Sequence, residues 1–341
     1  MVQINERTLR AIVVGTGSIG ANHVRIYNEM PEVELAGVVE PDPATAAKIG
    51  RIYRVPVYPT LEILLNEFRP DLASVAVPAT LHYAVASRLL EAKVNVLVEK
   101  PIATNLEDGR RLIRLAEENK CLFSVGHIER FNPAVKELKR RLAAGQFGEI
   151  FMVRAERQGH FPVRLQDTGV TIDLAIHDLD IINWLLGAPP VSVYGQTIRK
   201  IYSDHDDLVC GILRFANGAI GTINVNWVTP YKVRKLSLTS TLGMVEVNYL
   251  TQELIFYRNS TQPRGTYTNL KVLVGHNEGE VIHFPVNSEE PLKAELQNVV
   301  NACLGKEPPL VLAKDGLWAL YLAHLLLKSA REQQIQDVQP L

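Results

Sequence analysis

Three polar residues with the chemistry to move a proton lie in otherwise apolar parts of the sequence. Lys100 comes two residues after a β-branched run, and Asp173 and His177 are four residues apart in a segment that is apolar in most other directions. A four-residue spacing places the aspartate and the histidine on one face of a helix. Buried polar side chains are costly unless they are paired or face a ligand. The three residues are therefore candidates for acid–base and electrostatic chemistry.

The division of work between the lysine and the histidine has two possible forms. Because an imidazole titrates near neutral pH, His177 can act as general base while Lys100 stabilises negative charge on the same substrate oxygen. Burial beside a positively charged ligand would instead favour the neutral amine and make the lysine the base. Asp173 would orient His177 or bind substrate hydroxyls. The sequence leaves both assignments open.

A glycine motif near the start of the chain predicts a phosphate-binding turn. The apolar run Ile12–Val14 leads into three glycines with the spacing G-x-G-x-x-G, followed by a predicted helix. The first glycine permits a tight turn, the second lets a pyrophosphate approach, and the third allows close packing of helix on strand. The helix N-terminus offers free N–H groups to a dinucleotide. The residues expected to line this site are Gly15, Gly17, Ser18, Ile19 and Gly20.

An acidic residue after the next predicted strand indicates which dinucleotide binds. Glu40 follows the apolar run Val33–Val39, about 20 residues after the glycine motif. A carboxylate at this position accepts hydrogen bonds from the adenosine ribose and repels a 2′-phosphate. NAD is therefore favoured over NADP, with Arg51 and Arg54 as the residues that would reach a phosphate in the alternative.

The first part of the chain has the pattern of an α/β protein. Roughly residues 1–125 alternate short apolar runs with helical patterns, which predicts a doubly wound parallel sheet of the Rossmann type. Ligands of such sheets bind beyond the carboxyl ends of the strands. Lys100 follows the predicted strand Val94–Val98 and precedes the rigid Pro101. We therefore expect Lys100 to face the nicotinamide end of the cofactor.

Residues 126–341 have a different pattern, in which β-rich segments are separated by tight turns. Asn217–Gly218 lies between two of these segments, as a hairpin requires. The pattern predicts an α+β domain with a large, mostly antiparallel sheet, one face of which is open to a partner. Two helices are predicted at the end, over Leu292–Cys303 and Asp315–Gln333. They either belong to this domain or pack against the first one.

Composition and charge exclude several other functions. The net charge is −1, so the chain lacks the basic excess that non-specific nucleic-acid binding requires. No apolar stretch approaches the ~20 residues of a membrane span, and the charged start is unlike a signal peptide. Cys121, Cys210 and Cys303 are isolated in apolar contexts, which predicts buried free thiols in a cytoplasmic protein. The run Asp204–Asp207 is interpreted as a solvated acidic turn, and no metal site is predicted.

Three motifs in this order resemble one known family. The glycine motif, Glu99-Lys100-Pro101 and Asp173…His177 are similar to the glucose–fructose oxidoreductase, inositol dehydrogenase and rhizopine-catabolism (Gfo/Idh/MocA) family, over nearly the whole chain. The resemblance implies NAD-linked oxidation of a sugar or cyclitol alcohol, with the lysine and the histidine at the reacting carbon. It implies a homodimer or homotetramer formed through the open-faced sheet. It also implies cofactor contacts from Pro78, Thr80, His82, Glu99 and Lys100.

Two further segments resemble a subgroup of that family. Gly126–Pro133 and Asp167–Asp178 are similar to dehydrogenases that oxidise C3 of UDP-N-acetylglucosamine, although many family members carry a glycine triplet where this chain has Asp167-Thr168-Gly169. Guanidinium groups suit the diphosphate of such a substrate. Arg157 and Arg164 flank a predicted loop before the Asp173 helix and are the candidates, or else solvated loop arginines. The alternatives are an inositol or free-sugar dehydrogenase and a non-catalytic NAD-binding regulator.

Overall fold

The computed structural model describes residues 8–161, 168–201, 205–260 and 278–341 of the chain. Within these ranges, the chain divides into two compact units. The first unit comprises residues up to Phe131 together with Glu290–Tyr321, and the second comprises Asn132–Glu289 and Leu322–Leu341. Each unit is built on one sheet.

The sheet of the first unit is the predicted doubly wound parallel sheet. Its six strands have the order β3-β2-β1-β4-β5-β6, and all neighbouring pairs are parallel. Helices cover both faces, which explains why the strands are continuous apolar runs. The strands are β1 (Leu9–Val14), β2 (Val33–Val39), β3 (Val57–Tyr58), β4 (Leu72–Val75), β5 (Asn95–Glu99) and β6 (Phe123–Gly126).

Several α-helices of the described residues begin at a side-chain cap. The Asp42 carboxylate accepts the N–H of Thr45 at 2.8 Å, and the Asn105 side chain accepts the N–H of Asp108 at 2.9 Å. The helices are α1 (Ser18–Glu29), α2 (Pro43–Tyr53), α3 (Leu61–Glu67), α4 (His82–Glu91), α5 (Leu106–Asn119), α6 (Pro133–Ala143), α7 (Ile176–Leu186), α8 (Pro291–Cys303) and α9 (Ala313–Glu332). In the first unit, α1 and α8 share a buried apolar cluster with β1.

The sheet of the second unit is mostly antiparallel, as the hairpin pattern predicts. Its nine strands within the described residues have the order β14-β13-β12-β11-β7-β10-β9-β8-β15, and the β7–β10 pair alone is parallel among them. The strands are β7 (Ile150–His160), β8 (Pro190–Ile198), β9 (Leu208–Phe215), β10 (Ile220–Asn226), β11 (Val228–Ser240), β12 (Gly243–Asn248), β13 (Glu253–Asn259), β14 (Glu278–Phe284) and β15 (Gln336–Asp337). Gly218 makes the β9–β10 turn with φ +87°.

The prediction that the cysteines are buried is wrong for one of the three. All three thiols are free, but Cys210 is exposed and Cys121 and Cys303 are half-buried. Cys210 lies on β9, where outward and inward positions alternate, so its apolar sequence neighbours do not cover it. Burial raises the pKa of Cys303 to about 12.

None of the helices in the described ranges has the length and apolar character of a membrane span.

Candidate functional site

The glycine motif forms the tight turn that its spacing predicts. Gly15 has φ +86°, and a Cβ atom there would lie 2.8 Å from the carbonyl oxygen of Ala76. A Cβ on Gly20 would lie 2.0 Å from the carbonyl oxygen of Gly15. Any larger residue at either position would therefore displace main chain. The turn after β1 is held against the segment after β4, at the carboxyl edge of the sheet.

The N-terminus of α1 is open on the side where a phosphate would bind. Gly17 is the N-cap, and a Cβ atom built on it would meet no atom of the described residues within 4 Å. Ser18 and Ile19 are exposed in the first turn, whose N–H groups have no intrahelical partner. A helix N-terminus with free N–H groups and partial positive charge stabilises an anion. The residues present therefore fit the pyrophosphate of a dinucleotide.

Glu40 is anchored to this turn. One carboxylate oxygen accepts the N–H of Thr16 at 3.0 Å and its hydroxyl at 2.5 Å, and the other accepts the N–H of Asp42 at 3.0 Å. The carboxylate therefore lies beside the glycine turn, at the end of β2. The oxygen that accepts from Asp42 has one hydrogen bond and retains capacity to accept another. This is the position at which a ribose diol is bound in the Rossmann arrangement.

The loop after β4 presents two of the predicted residues and buries the third. Pro78 and Thr80 are exposed, whereas the His82 ring is buried. The His82 ring places Nδ1 2.7 Å from the carbonyl oxygen of Pro101 and Nε2 3.0 Å from that of Val77. Burial lowers the pKa of His82, although the two carbonyls raise it. The predicted direct cofactor contact from His82 is corrected, because both ring nitrogens already face main-chain carbonyls.

Lys100 lies in a turn at the carboxyl end of β5. Its side chain is half-buried, and its peptide bond to Pro101 is cis. The carboxylate of the preceding Glu99 is 3.2 Å from Nε2 of His23 on α1. Burial opposes ionisation of Glu99, but the hydrogen bond from His23 and the charges of His23 and Lys100 outweigh it, so the pKa of Glu99 is below its ordinary value. The turn thus carries a carboxylate beside the lysine.

In the second unit, the predicted helix is buried and carries Asp173 and His177 on successive turns. It begins with a π-helical turn, Thr171–Ala175, which continues into α7. Both side chains are buried. Asp206 holds the start of this segment, because its carboxylate accepts the N–H of Thr171 at 2.8 Å and the hydroxyl of Thr171 at 2.5 Å. π-helical turns occur frequently at functional sites.

The interpretation of Asp204–Asp207 as a solvated acidic turn is wrong in its described part. Asp207 is buried, and its carboxylate accepts the indole N–H of Trp227 at 2.8 Å and the N–H groups of Lys200 and Ile201. Asp206 acts as the helix cap. Asp206 therefore holds the start of the helical segment, and Asp207 holds the main chain that follows β8. Among the described residues, no group of three or more potential ligands could hold a metal ion.

The predicted loop position of Arg157 is wrong. Arg157 lies inside β7, and its guanidinium makes two hydrogen bonds to the carboxylate of Asp178, at 2.7 Å and 3.1 Å. A guanidinium committed to a buried carboxylate is a poor phosphate ligand. Sequence analysis missed β7 because a charged residue occupies an inward position of the strand and conceals the apolar alternation. Arg164 lies outside the described residues.

The structure brings the predicted residues together in two groups, one in each unit. In the first unit, the carboxyl edge of the sheet gathers the glycine turn, Glu40, the Pro78–Thr80 loop and the Glu99–Lys100 turn. In the second unit, Asp173 and His177 lie on one buried helix. His23 and Asp178, which hold neighbours of these residues, were not predicted. The sequence signal for His23 is a histidine three residues after Gly20 on the buried face of α1, and for Asp178 it is a polar residue inside a buried apolar helix.

Comparisons with known proteins identify the family to which the chain belongs. Residues 9–127 match the profile of the Gfo/Idh/MocA oxidoreductase family with its NAD-binding Rossmann fold, and residues 135–246 match the profile of the family's C-terminal domain. The two profiles together match more than half of the chain. The chain therefore belongs to the Gfo/Idh/MocA family of oxidoreductases, and its cofactor is NAD.

Individual relatives act on different alcohols. The chain is 29% identical over 300 residues to UDP-N-acetylglucosamine 3-dehydrogenase of Acidithiobacillus ferrooxidans, covering 88% of this chain and 90% of that protein. A solved structure of that enzyme has a TM-score of 0.84 and 26% identity, covering 95% and 98% of the two chains. The chain is also 29% identical to an inositol 2-dehydrogenase of Corynebacterium glutamicum, covering 64% of this chain and 67% of that one. The comparisons thus establish a dehydrogenase and leave its substrate to be proposed.

Proposed function

We propose that the protein oxidises a secondary alcohol of a nucleotide sugar to a ketone, with C3 of UDP-N-acetylglucosamine as the reacting carbon. The observation that supports the reaction class is that Lys100 directly follows a parallel strand, at the same sheet edge as the glycine turn. The substrate is supported by the similarity to a UDP-N-acetylglucosamine 3-dehydrogenase, which extends over 88% of the chain.

The residues of the first unit would bind and orient the reactants. The first turn of α1 would bind the pyrophosphate, and Glu40 would accept hydrogen bonds from the adenosine ribose, which disfavours NADP. Bound NAD would supply the two-electron acceptor. Lys100 would donate a hydrogen bond to the substrate oxygen and stabilise the negative charge that develops there.

The helix residues of the second unit would handle the proton. His177 would accept the proton of the substrate hydroxyl, and Asp173 would orient the imidazole or hold neighbouring hydroxyls. In the alternative assignment the Lys100 amine accepts that proton.

Arg164 stays the predicted ligand of the diphosphate. We also propose that the exposed face of β7, β9 and β10 joins copies of the chain, for which light scattering is the measurement.

The substrate class is tested by mixing purified protein and NAD with UDP-N-acetylglucosamine, myo-inositol or glucose and following NADH absorbance. We expect turnover of the nucleotide sugar alone. Turnover of inositol or glucose without the nucleotide sugar would reject the proposed substrate and favour the inositol dehydrogenase alternative, which the second relative supports. Absence of turnover on all three would favour a non-catalytic NAD-binding protein.

The roles of the two residues are tested by Lys100→Met and His177→Asn. Each is expected to lower kcat about 10²- to 10⁴-fold, the usual contribution of a proton-transferring or charge-stabilising group. His177→Asn should also remove the acidic limb of the pH–rate profile if the imidazole is the base. Lys136→Met, at an exposed position of α6, is the matched control and should leave kcat unchanged. Unchanged turnover in both site variants would contradict the assigned roles.

A further inference from the structure

The turn that carries Lys100 is held on both sides by buried histidines. His23, on the second turn of α1, is fully buried, and its Nε2 lies 3.2 Å from the carboxylate of Glu99, the residue before the lysine. Because a carboxylate only accepts hydrogen bonds, the proton lies on Nε2. On the other side, the His82 ring lies 2.7 Å from the carbonyl oxygen of Pro101, the residue after the lysine.

His23 is poorly explained as part of an apolar core. Its second ring nitrogen, Nδ1, is buried and has no hydrogen-bond partner in the part of the chain that the structure describes. A buried polar atom without a partner costs free energy that an apolar side chain would not incur. Among the described residues, the hydrogen bond of the ring is with Glu99. The role of His23 is therefore its hydrogen bond to the Glu99–Lys100 turn.

The anchoring of α1 to the sheet does not depend on His23. One turn later, the Tyr27 hydroxyl and the Ser74 hydroxyl of β4 are 2.8 Å apart and buried. Tyr27 also packs into the cluster that α1 shares with α8 and β1. The same helix thus has one polar contact to the strand that supports it and a separate one to the turn that carries Lys100.

The two histidines join the lysine turn to the two segments expected to bind the cofactor. His23 belongs to α1, whose first turn is the phosphate site. Nε2 of the His82 ring lies 3.0 Å from the carbonyl oxygen of Val77, directly before the exposed Pro78, so the ring packs between two carbonyls and, when neutral, donates to one of them. The distance from the cofactor site to the lysine is therefore determined by two short buried connections rather than by the loop conformation alone.

We propose that His23 is a positioning residue for Lys100, which it holds through Glu99 while His82 holds the opposite side of the turn. This inference rests on the proposed function of Lys100 and names the residues that place its amine relative to bound NAD. It predicts that the α1 N-terminus and the lysine turn behave as one rigid body.

The central variants are His23→Leu, which removes the donor at similar volume, and His23→Gln, whose amide nitrogen can replace Nε2. We expect His23→Leu to lower kcat about 10- to 100-fold, since small displacements of a positioned group have effects of this size. The Kd of NADH, measured by fluorescence, should change less than about threefold because the phosphate site is intact. His23→Gln should recover kcat to within about threefold of the wild type.

Tyr27→Phe is the matched control, since it removes a buried hydrogen bond from the same helix without changing a neighbour of Glu99. It should lower Tm while leaving kcat unchanged. His82→Leu should lower kcat and also weaken NADH binding, because it releases the Val77–Pro78 segment as well. If His23→Leu and Tyr27→Phe lower Tm alike and neither changes kcat, His23 is structural and the inference is overturned.

A second measurement does not depend on turnover. Lysine amines are labelled by reductive ¹³C-methylation, and the Lys100 resonance is assigned by its loss in Lys100→Met. We expect His23→Leu to shift or broaden this resonance, and His23→Gln to restore it. An unchanged resonance in His23→Leu contradicts the inference. If the resonance responds as expected but the wild type oxidises no sugar, the positioning of Lys100 stands and the proposed function fails.

Discussion

Each unit places a buried or half-buried carboxylate directly beside a residue proposed to act on the substrate, and the two carboxylates are held differently. Asp178 follows His177 and accepts two hydrogen bonds from Arg157, with side-chain exposures of 1% and 4%. Glu99 precedes Lys100 and has one contact with His23, and its side chain is 16% exposed. The first pair joins a strand to a helix, whereas the second joins a helix to a turn.

The difference indicates what each pair does. A bidentate guanidinium–carboxylate pair has a fixed geometry. The Arg157 guanidinium also lies 5.5 Å from the centre of the Tyr249 ring. It therefore acts as a rigid connection between β7 and α7. The single His23–Glu99 contact, next to half-buried Lys100, orients the turn and contributes less to the stability of the fold. Adjacency to a candidate residue thus does not by itself tell whether a carboxylate supports the fold or the chemistry.

The largest expected effect comes from breaking the pair of the second unit. Arg157→Leu leaves the Asp178 carboxylate buried without its cation, so we expect a loss of about 3–5 kcal/mol in the free energy of unfolding. Arg154→Leu is the control on the same strand, because its contact with Glu156 is exposed, and it should cost about 0–1 kcal/mol. Urea denaturation measures both.

The double variant Arg157→Leu/Asp178→Leu sharpens this test. Removing both charges eliminates the unpaired carboxylate, so the double variant should be more stable than Arg157→Leu alone. Equal losses for Arg157→Leu and Arg154→Leu would mean that the buried pair contributes no more than the exposed one, and the structural role assigned to it would be withdrawn.

An intermediate effect is expected from Glu99→Gln. At neutral pH it should cost about 2 kcal/mol, the usual contribution of a hydrogen bond to a charged group. The folded-state pKa of Glu99 is below the ordinary value of 4.5, so its stabilisation is present above pH 4.5 and is lost as pH falls through the lower folded value. The stability difference between wild type and variant should therefore shrink in acid. A difference that grows as the pH falls below 4.5 would contradict this sign.

The smallest effect is expected from Gly126→Ala. The register of β5 and β6 pairs Glu99 with Gly126, and a Cβ atom there would lie 3.0 Å from the carboxyl carbon and both oxygens of Glu99. The carboxylate would have to move by a few tenths of an ångström. We expect a cost of about 1 kcal/mol, at the low end of overpacking, and a several-fold lower kcat. A crystal structure with Glu99 unmoved would show that the turn tolerates the methyl group.

Much of the first unit could be predicted because its signals are local. The apolar runs of β1 and β2, the G-x-G-x-x-G spacing and the acid at Glu40 each depend on a few consecutive residues. The resemblance to the Gfo/Idh/MocA family also predicted the class that the comparisons confirm. The predicted roles of Lys100, Asp173 and His177 stay predictions. For the buried helix of the second unit, the apolar surroundings sufficed to predict burial.

Other features depended on partners distant in the sequence. Arg157 was assigned to a loop because its charge is compatible with an inward strand position only once Asp178, 21 residues later, is placed against it. His82 was predicted to contact the cofactor, but folding directs both ring nitrogens to main-chain carbonyls. Asp206 and Asp207 were interpreted as solvated, whereas they accept hydrogen bonds from Thr171 and Trp227, and Asp207 is buried.

By itself, the sequence determined the alternation of strands and helices in the first part of the chain, the glycine turn and the family, because backbone preference, apolar periodicity and motif spacing act over short stretches. Only the tertiary structure decided which charged residues are sequestered and which face a ligand. The physical reason is that a charge is stable inside a protein only beside a partner, and the partners of Glu99, Asp178 and Asp207 come from other elements of the fold.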